Sequence, residues 1–533
     1  MRGGRLSRKH LARASERNAA MRKGWLSVGL VAVVSTGFVV ACGDDDSSVA
    51  SNQDAGTTGL PDASVQNPAD SGGTDSAKPD ADAATPTSAP IVPLMTVRIP
   101  NAINPYGLLY ASDGFLYSSG GTVDNGTRKL GVWRFKDGAL DTTFGTGGVI
   151  TLDVPGGDSE ASWDIVEVSA GNFVVHVVTG GKVYLVKLTK DAGGTFSFGT
   201  PVFVRFGWDE DEGWPGTMPN APATPPTYIS WGIGLDKSNA ASPKIVVFAY
   251  GAPDKAADPT TQRSDNDRWI TRVSADTFAF DTSFNGGKPY TVDADGKNIN
   301  DNARRGTVLS DGSIISAGYT NFGQGLGNHV VLIRLLPNGT PDTTFGFGTT
   351  APGIPGQTKF NPFLSVSGGA EAYGVARQSS GYYVTTGYGT SNFDVTSKNA
   401  DLVSFRVKPD GIDTTWGKLG SFAIQSEPDK SAGLGVTPNN DRGRDVVVLS
   451  DDRVVQVGHY DDYASVFVLD KNGKLDPSSG TGGIIEYAYP GGFFKVALSP
   501  DGKTLAATAE SKNQTGDAGA PLGSVLATLE IGQ

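Results

Sequence analysis

Five aspartates recur in one short phrase, and their spacing makes them the first candidates for chemistry in this 533-residue chain. The phrase reads LDTTFGTGG from Leu140, FDTSFNGG from Phe280, PDTTFGFG from Pro341 and IDTTWGKLG from Ile412, with a worn copy, LDPSSGTGG, from Leu475. It sets Asp141, Asp281, Asp342, Asp413 and Asp476 at intervals of 140, 61, 71 and 63 residues. A carboxylate repeated at one structural position can ligate a metal or act as an acid or base. The first four, however, follow a strand and stand three residues before an aromatic: Phe144, Phe284, Phe345 and Trp416. A carboxylate in that setting accepts local backbone N–H bonds in a turn. The aromatic fills space between repeats, so a structural role is the better reading. Arg134, Arg272, Arg334 and Arg406 recur on the preceding strand. They have the reach to pair with these carboxylates or with the next repeat; a ring of ligand-facing arginines is the less favoured alternative.

Two further acidic stretches bear on metal binding. Asp209-Glu210-Asp211-Glu212 lies between Trp208 and Trp214, and DADGKNIND supplies Asp293, Asp295, Asn298, Asn300 and Asp301. Oxygen-rich loops suit calcium, so Asp293, Asp295 and Asp301 are weak calcium candidates. Neither stretch matches the twelve-residue calcium loop, and a solvated acidic loop is the default. The four histidines, His10, His176, His329 and His459, show no zinc-ligand spacing. His459 follows Gly458 as Tyr319 follows Gly318 and Tyr388 follows Gly387. That shared strand end faces a variable loop, which makes Tyr319, Tyr388, His459 and Tyr460 candidates for a binding rim together with Trp208 and Trp214. A satisfied surface histidine is the plainer reading of His459. There is no glycine-rich phosphate loop and no nucleophile elbow, so no cofactor and no catalytic residue is assigned. A pair of glycosidase carboxylates need only meet in space, and it stays open as an alternative.

The elements that must position these residues are short strands. SDG, PNG and PDG turns punctuate the chain, and alternating β-branched residues run between them. The order of turn, strand, variable loop and strand recurs seven times, from ASDGFLYSSG at Ala111 to SPDGKTLAATAE at Ser499, with the aspartate phrase following in five of the units. Such a period implies stacked units, none of which buries its apolar face alone. The last unit lacks a fourth strand, and VPLMTVRIP, Val92–Pro100, has no unit of its own. It fits as the missing strand and removes an exposed edge. The expected fold is all-β: a β-propeller of seven four-stranded blades with the N-terminal strand closing the last. Six or eight blades, or an open solenoid, are the alternatives.

The residues LDTTFGTGG, PDTTFGFG, IRLLPNG and FRVKPDG also resemble the delta-60 repeat, a β-rich bacterial repeat. The resemblance covers nearly the whole folded part and is weakest in the second and seventh units. It implies a secreted or envelope-associated bacterial protein and transfers no ligand or catalytic residue.

The front of the chain gives an address. Arg22 and Lys23 precede an apolar run from Gly24 to Ala41, followed by Cys42, the single cysteine. This is the export-signal pattern, and Val39-Val40-Ala41-Cys42 resembles the lipobox of bacterial lipoproteins. The resemblance implies cleavage after residue 41 and a lipid on Cys42. The alternative is a membrane anchor, for which 18 residues is short. Residues 1–41 are therefore read as a lipoprotein signal peptide, 42–90 as a disordered acidic tether and 91–533 as the propeller. The tether has no aromatic residue and cannot offset its ordering entropy by burial. With one cysteine there is no internal disulfide.

The chain carries 44 basic and 56 acidic residues. Without the leader the counts fall to 36 and 55, which argues against nucleic acid as a partner. Together these features predict a non-enzymatic cell-envelope lipoprotein, at the outer membrane rather than the inner, that binds an envelope protein or glycan through its longer loops. The alternative is a glycan-processing hydrolase or lyase with carboxylates gathered at the propeller axis.

Overall fold

The computed structural model describes residues 88–124, 126–157, 159–206, 228–252, 265–294, 299–321, 327–346, 354–363, 368–390, 400–424, 441–461, 463–511 and 523–532; Cys42, Trp208, Trp214 and Asp295 lie outside them. Every helix or strand assigned among them is a β-strand. The strands hydrogen-bond in chain order into six antiparallel sheets.

The fourth sheet shows why these residues build this unit. Asp301–Val308, Ile314–Asn321, Asn328–Leu335 and Gln357–Phe360 pair in sequence. The first hairpin turns at Ser310-Asp311-Gly312, where Gly312 takes a φ of 84° that a side chain would disfavour. Asp311 Oδ1 closes the turn, accepting the Ser313 amide at 2.9 Å and its hydroxyl at 2.6 Å. The strand that leaves, IISAGYTN, is buried at every position but the last. It is apolar or small throughout because neighbouring sheets cover both its faces.

The other sheets start at Ala102–Tyr110, Ala161–Ser169, Tyr228–Asp236, Ala370–Arg377 and Arg442–Val448. Each of these first strands packs against the next in chain order. The last sheet has seven strands because Ile484–Leu498, fifteen residues long, serves two units. Its start pairs with Tyr463–Leu469 and its end, from Gly491, with Thr504–Ser511. It also packs against Ala102–Tyr110. The N-terminal strand Ile91–Arg98 pairs antiparallel with Val525–Ile531, so the two ends of the described chain share a sheet and cover its edge. The architecture is propeller-like.

The outer strand differs from a plain fourth strand. In the first unit it is split into Ala139–Leu140 and Val149–Leu152, both paired with Thr127–Lys136. The fifth unit repeats this with Gly411–Ile412 and Ser421–Ile424. The aspartate phrase lies between the two pieces and takes the chain out of the ladder. The apolar core lies between consecutive sheets. Phe144 joins Val175 and Phe196, Phe284 joins Val331 and Ile333, Phe345 joins Tyr383 and Val403, and Trp416 joins Val446 and Leu469.

Candidate functional site

The repeated aspartates are engaged in structure. Asp281 Oδ1 accepts the Ser283 amide at 3.1 Å and hydroxyl at 2.7 Å, while Oδ2 accepts Arg272 Nε at 2.8 Å. Asp141, Asp342 and Asp413 make the same turn with Thr143, Thr344 and Thr415. They pair with Arg134, Arg334 and Arg406 at 2.6, 2.9 and 2.6 Å. The arginines also reach forward. Arg272 donates to the Pro337 carbonyl at 2.6 Å and Arg406 to that of Lys471 at 3.0 Å, each in the turn of the following unit. The Asn285 and Gly417 amides, just after the aromatics, donate to Asn338 and Asn472 carbonyls in the same turns. The phrase is therefore a staple between consecutive units. In its worn copy, Asp476 bonds Ser478, Arg453 and the Ser88 hydroxyl, which fixes the residues just before the N-terminal strand. Burial alone would raise these carboxyls. The Ser or Thr bonds and the arginines outweigh it and hold Asp141, Asp281, Asp413 and Asp476 below the usual range.

A second set of residues converges where the first strands meet. Each first strand, and the second half of Ile484–Leu498, carries a register shift at one shared position. A bulge re-aims the side chain it displaces. The residues so displaced are Tyr106, Trp163, Trp231, Arg304, Tyr373, Arg444 and Phe494. Tyr106 stacks on Trp163 with ring centroids 4.2 Å apart, and Trp163 meets Trp231 at 4.1 Å. Arg304 lies 4.3 Å over Trp231 and 4.6 Å over Tyr373. Arg444 lies 5.0 Å over Tyr373 and 4.7 Å over Phe494. Phe494 returns to Tyr106 at 4.5 Å. The contacts form a seven-membered cycle, one residue from each unit, held by stacking and cation–π attraction.

The next residue in each strand forms a layer beside the cycle: Gly107, Asp164, Gly232, Arg305, Gly374, Asp445 and Lys495. Lys495 lies 3.3 Å from Asp164 and 3.6 Å from Asp445, and Arg305 3.8 and 3.9 Å from the same two carboxylates. Arg305 also donates to the Trp163 and Phe494 carbonyls, each at 3.1 Å. A Cβ on Gly232 would stand 3.0 Å from an Asp164 oxygen, so this position stays small to admit the charges. Two acids shared by two cations in a buried layer tie four units together. Both carboxylates are engaged in ion pairs.

At one end of this column lies a polar cluster. Arg304 donates to the Tyr319 and Tyr373 hydroxyls at 3.0 and 3.1 Å, and the Tyr388 hydroxyl is 3.4 Å from that of Tyr373. Arg442 lies 4.5 Å over the Tyr388 ring. Glu371 accepts a bond from the Asn328 side-chain amide. Burial pushes the Glu371 carboxyl up, against the pull of Arg304, and raises the Tyr319 and Tyr388 hydroxyls. Tyr319 and Tyr388 close second strands, while Glu371 and Arg442 lie at the start of first strands. Antiparallel pairing puts these positions at the sheet ends that bear the long second-to-third-strand loops. The candidate rim residues are thus mostly interior: Tyr319, His459 and Tyr460 are buried and Tyr388 is half-buried. Tyr460 belongs to the core between the fifth and sixth units, with Leu402 and Phe467.

Sequence reading passed over Arg304, Arg442, Arg444 and the ion-paired layer. The signal was present: an aromatic or arginine followed by glycine or a charge, as in YG, WD, WG, RR, YG, RD and FK, ahead of each unit's first turn. It is visible only when the first strands are aligned with one another.

An acidic cluster lies elsewhere. Ligand oxygens of Asp265, Asp267 and Asp293 lie within 4.8 Å of one another, and Asp301 is fully buried beside them. Burial pushes the Asp301 carboxyl up to about 7, with Asp293 adding to the shift. Asp265 and Asp267 lie upstream of the DADGKNIND stretch, out of reach of a local motif search. His176 is buried and neutral, its imidazole lowered to about 3 by burial and then by Arg305.

No family model and no curated protein matches the chain. Among solved structures, the polysaccharide lyase Uly1 aligns at 10% identity over 81% of this chain and 91% of its own, with a TM-score of 0.39. YCF48 bound to D1 peptide aligns at 11% over 84% and 98%, with a TM-score of 0.37. The Penicillium chrysogenum α-L-arabinanase complexed with arabinobiose aligns at 10% over 84% and 99%, with a TM-score of 0.33. These neighbours mix enzymes with a peptide-bound protein, and at this similarity none carries a functional inference to this chain.

Proposed function

We propose that this chain is a cell-envelope lipoprotein whose body is a closed, seven-bladed β-propeller of delta-60-like repeats, and that it binds a carboxylate-bearing glycan at the loop end of its axis. The cycle from Tyr106 to Phe494 supports seven blades and closure. The address rests on the leader: lipid on Cys42, a tether to about residue 90, and the outer membrane. The ligand reading is carried by one observation, the convergence of Arg304, Arg442 and Arg444 with the Tyr319, Tyr373 and Tyr388 hydroxyls at the loop-bearing end of the column. Guanidinium groups match carboxylate geometry in paired hydrogen bonds, and tyrosines offer flat apolar faces with a polar tip. This reading makes the function recognition and scaffolding, and the ion pairs that engage Asp164 and Asp445 are consistent with it.

A glycan-processing hydrolase or lyase is the second reading. It is favoured by the coupling of Tyr388 to Glu371, whose carboxyl burial raises. A carboxyl raised by burial beside tyrosines is the setting in which general acids are found. An array of acidic and neutral glycans separates these readings. Retention of uronate-bearing glycans by the mature chain, lost in Arg442→Gln with melting unchanged, is the expected result. Release of shortened or unsaturated products, abolished by Glu371→Gln, would move the assignment to the enzyme. Retention of neutral and acidic glycans alike would remove the arginines from the account.

A further inference from the structure

We propose that Asp265, Asp267 and Asp293 hold one calcium ion, which fastens the third sheet to the first strand of the fourth.

Strand register brings the ligands together. Arg268 faces Val292 in the antiparallel pair, so Asp267, one residue before, meets Asp293, one residue after. Asp265 stands two residues from Asp267, and residues two apart along extended chain project to the same side. The three carboxylates therefore collect at one end of the third sheet, with oxygens within 4.8 Å of one another. Asp265 and Asp267 are buried and Asp293 is half-buried.

Asp301 supplies an independent observation. It opens the first strand of the fourth sheet, and its amide donates to the Asn266 carbonyl, between Asp265 and Asp267, at 2.7 Å. Its Oδ2 accepts the amide of Ala294, the residue after Asp293, at 2.5 Å. Asp301 is thus wedged between the two segments that carry the cluster. Its other oxygen, Oδ1, makes no hydrogen bond of ordinary geometry in a side chain with 0% exposure, although the Thr320 hydroxyl and Arg268 lie near enough to favour its charged form. A buried carboxylate oxygen without a donor is costly. With three more carboxylates gathered next to it, a cation would offset negative charge that these neighbours do not balance.

The chemistry selects the ion. All the ligands are carboxylate oxygens, the hard donors that calcium and magnesium take. Calcium binds oxygens at about 2.3–2.6 Å and so accommodates oxygens up to about 5 Å apart across the ion. Magnesium, at about 2.0–2.1 Å in a strict octahedron, accommodates about 4 Å. Oxygens gathered within 4.8 Å of one another fit around a calcium ion, and the looser calcium shell is the easier one for strand-borne carboxylates to meet.

The test uses the full mature chain after chelation. Calorimetric titration with calcium chloride should give one site, and saturating calcium should raise the melting temperature by roughly 3–5 °C, as expected for a ligand near a hundred times its dissociation constant. Asp267→Asn and Asp293→Asn should each lose the heat and the shift while melting in chelator as the parent does. Asp293 is half-buried, so its variant tests the site if Asp267→Asn does not fold, and the parent titration stands without either. No heat and no shift in the parent would overturn the proposal. So would variants that respond like the parent, or a magnesium response equal to that of calcium.

Discussion

Arg272 touches two carboxylates and a carbonyl of the next unit at once: Asp281, Asp236 and Pro337. Replacing it with alanine strands two buried acids, and loss of one partner from a buried pair costs roughly 3–5 kcal/mol. Denaturant unfolding of Arg272→Ala should show a loss of that order. Lys187→Ala removes a bond to the exposed Asp276 and should cost under about 1 kcal/mol. Equal losses would show that the staple contributes no more than a surface pair. The same residues set an acid limit. Asp141, Asp281, Asp413 and Asp476 have folded-state pKa values below their unfolded ones. Their contribution is present above the unfolded value, near 4, and is lost as pH falls through the lower folded values. Melting temperature should therefore decline below about pH 4, and Asp281→Asn should flatten that decline. At this scale the sequence was informative, since the aromatic recurs three residues after the aspartate and the arginine seven to nine residues before it. The partner in the next unit was not, because Pro337 and Lys471 contribute carbonyls, which no residue type announces.

Strands and turns repeat the lesson one level up. Gly473 has a φ of 82° in the turn that packs on Trp416, where an added Cβ would meet the indole at 2.5 Å. Gly482 has a similar φ, 63°, and open space around it. Both alanine variants bear left-handed strain of roughly 1–2 kcal/mol, so a Gly473→Ala loss clearly larger than that of Gly482→Ala measures the inter-unit contact. Equal losses would leave only backbone strain. The turns and hairpins were legible from SDG, PNG and alternation. The split outer strand was not, because the aspartate turn interrupts a ladder that β-propensity alone would continue. The bulges were hidden for a related reason: Tyr106, Trp231 and Tyr373 precede glycines that read as ordinary strand breaks, and their role depends on neighbours 57 residues away or more.

The whole molecule depends on its two ends meeting. Ile91–Arg98 pairs with Val525–Ile531 over seven residue pairs. Removing residues 91–98 should leave an unpaired edge, promote association between chains and speed proteolysis of the last unit, read by scattering and limited digestion. A monomeric truncation with unchanged digestion would place closure elsewhere. The proposed lipid anchor has its own test: Cys42→Ser should abolish lipid labelling and leave an uncut or soluble product, while unchanged membrane attachment would refute the lipid anchor. The recurring antiparallel sheets were legible from the turns alone. The loop-end cluster could not, because Arg304, Glu371, Tyr388 and Arg442 come from three units and meet only once the first strands are side by side. That cluster carries the central claim, and the sharpest measurement compares one polymer in two charge states. Calorimetric titration of the mature chain with polygalacturonate and with its methyl ester should give binding to the free acid at least about tenfold tighter, a difference near 1.4 kcal/mol, and Arg442→Gln should erase the difference. Equal affinity for acid and ester, or no binding to either, would contradict recognition of a carboxylate-bearing glycan at the axis.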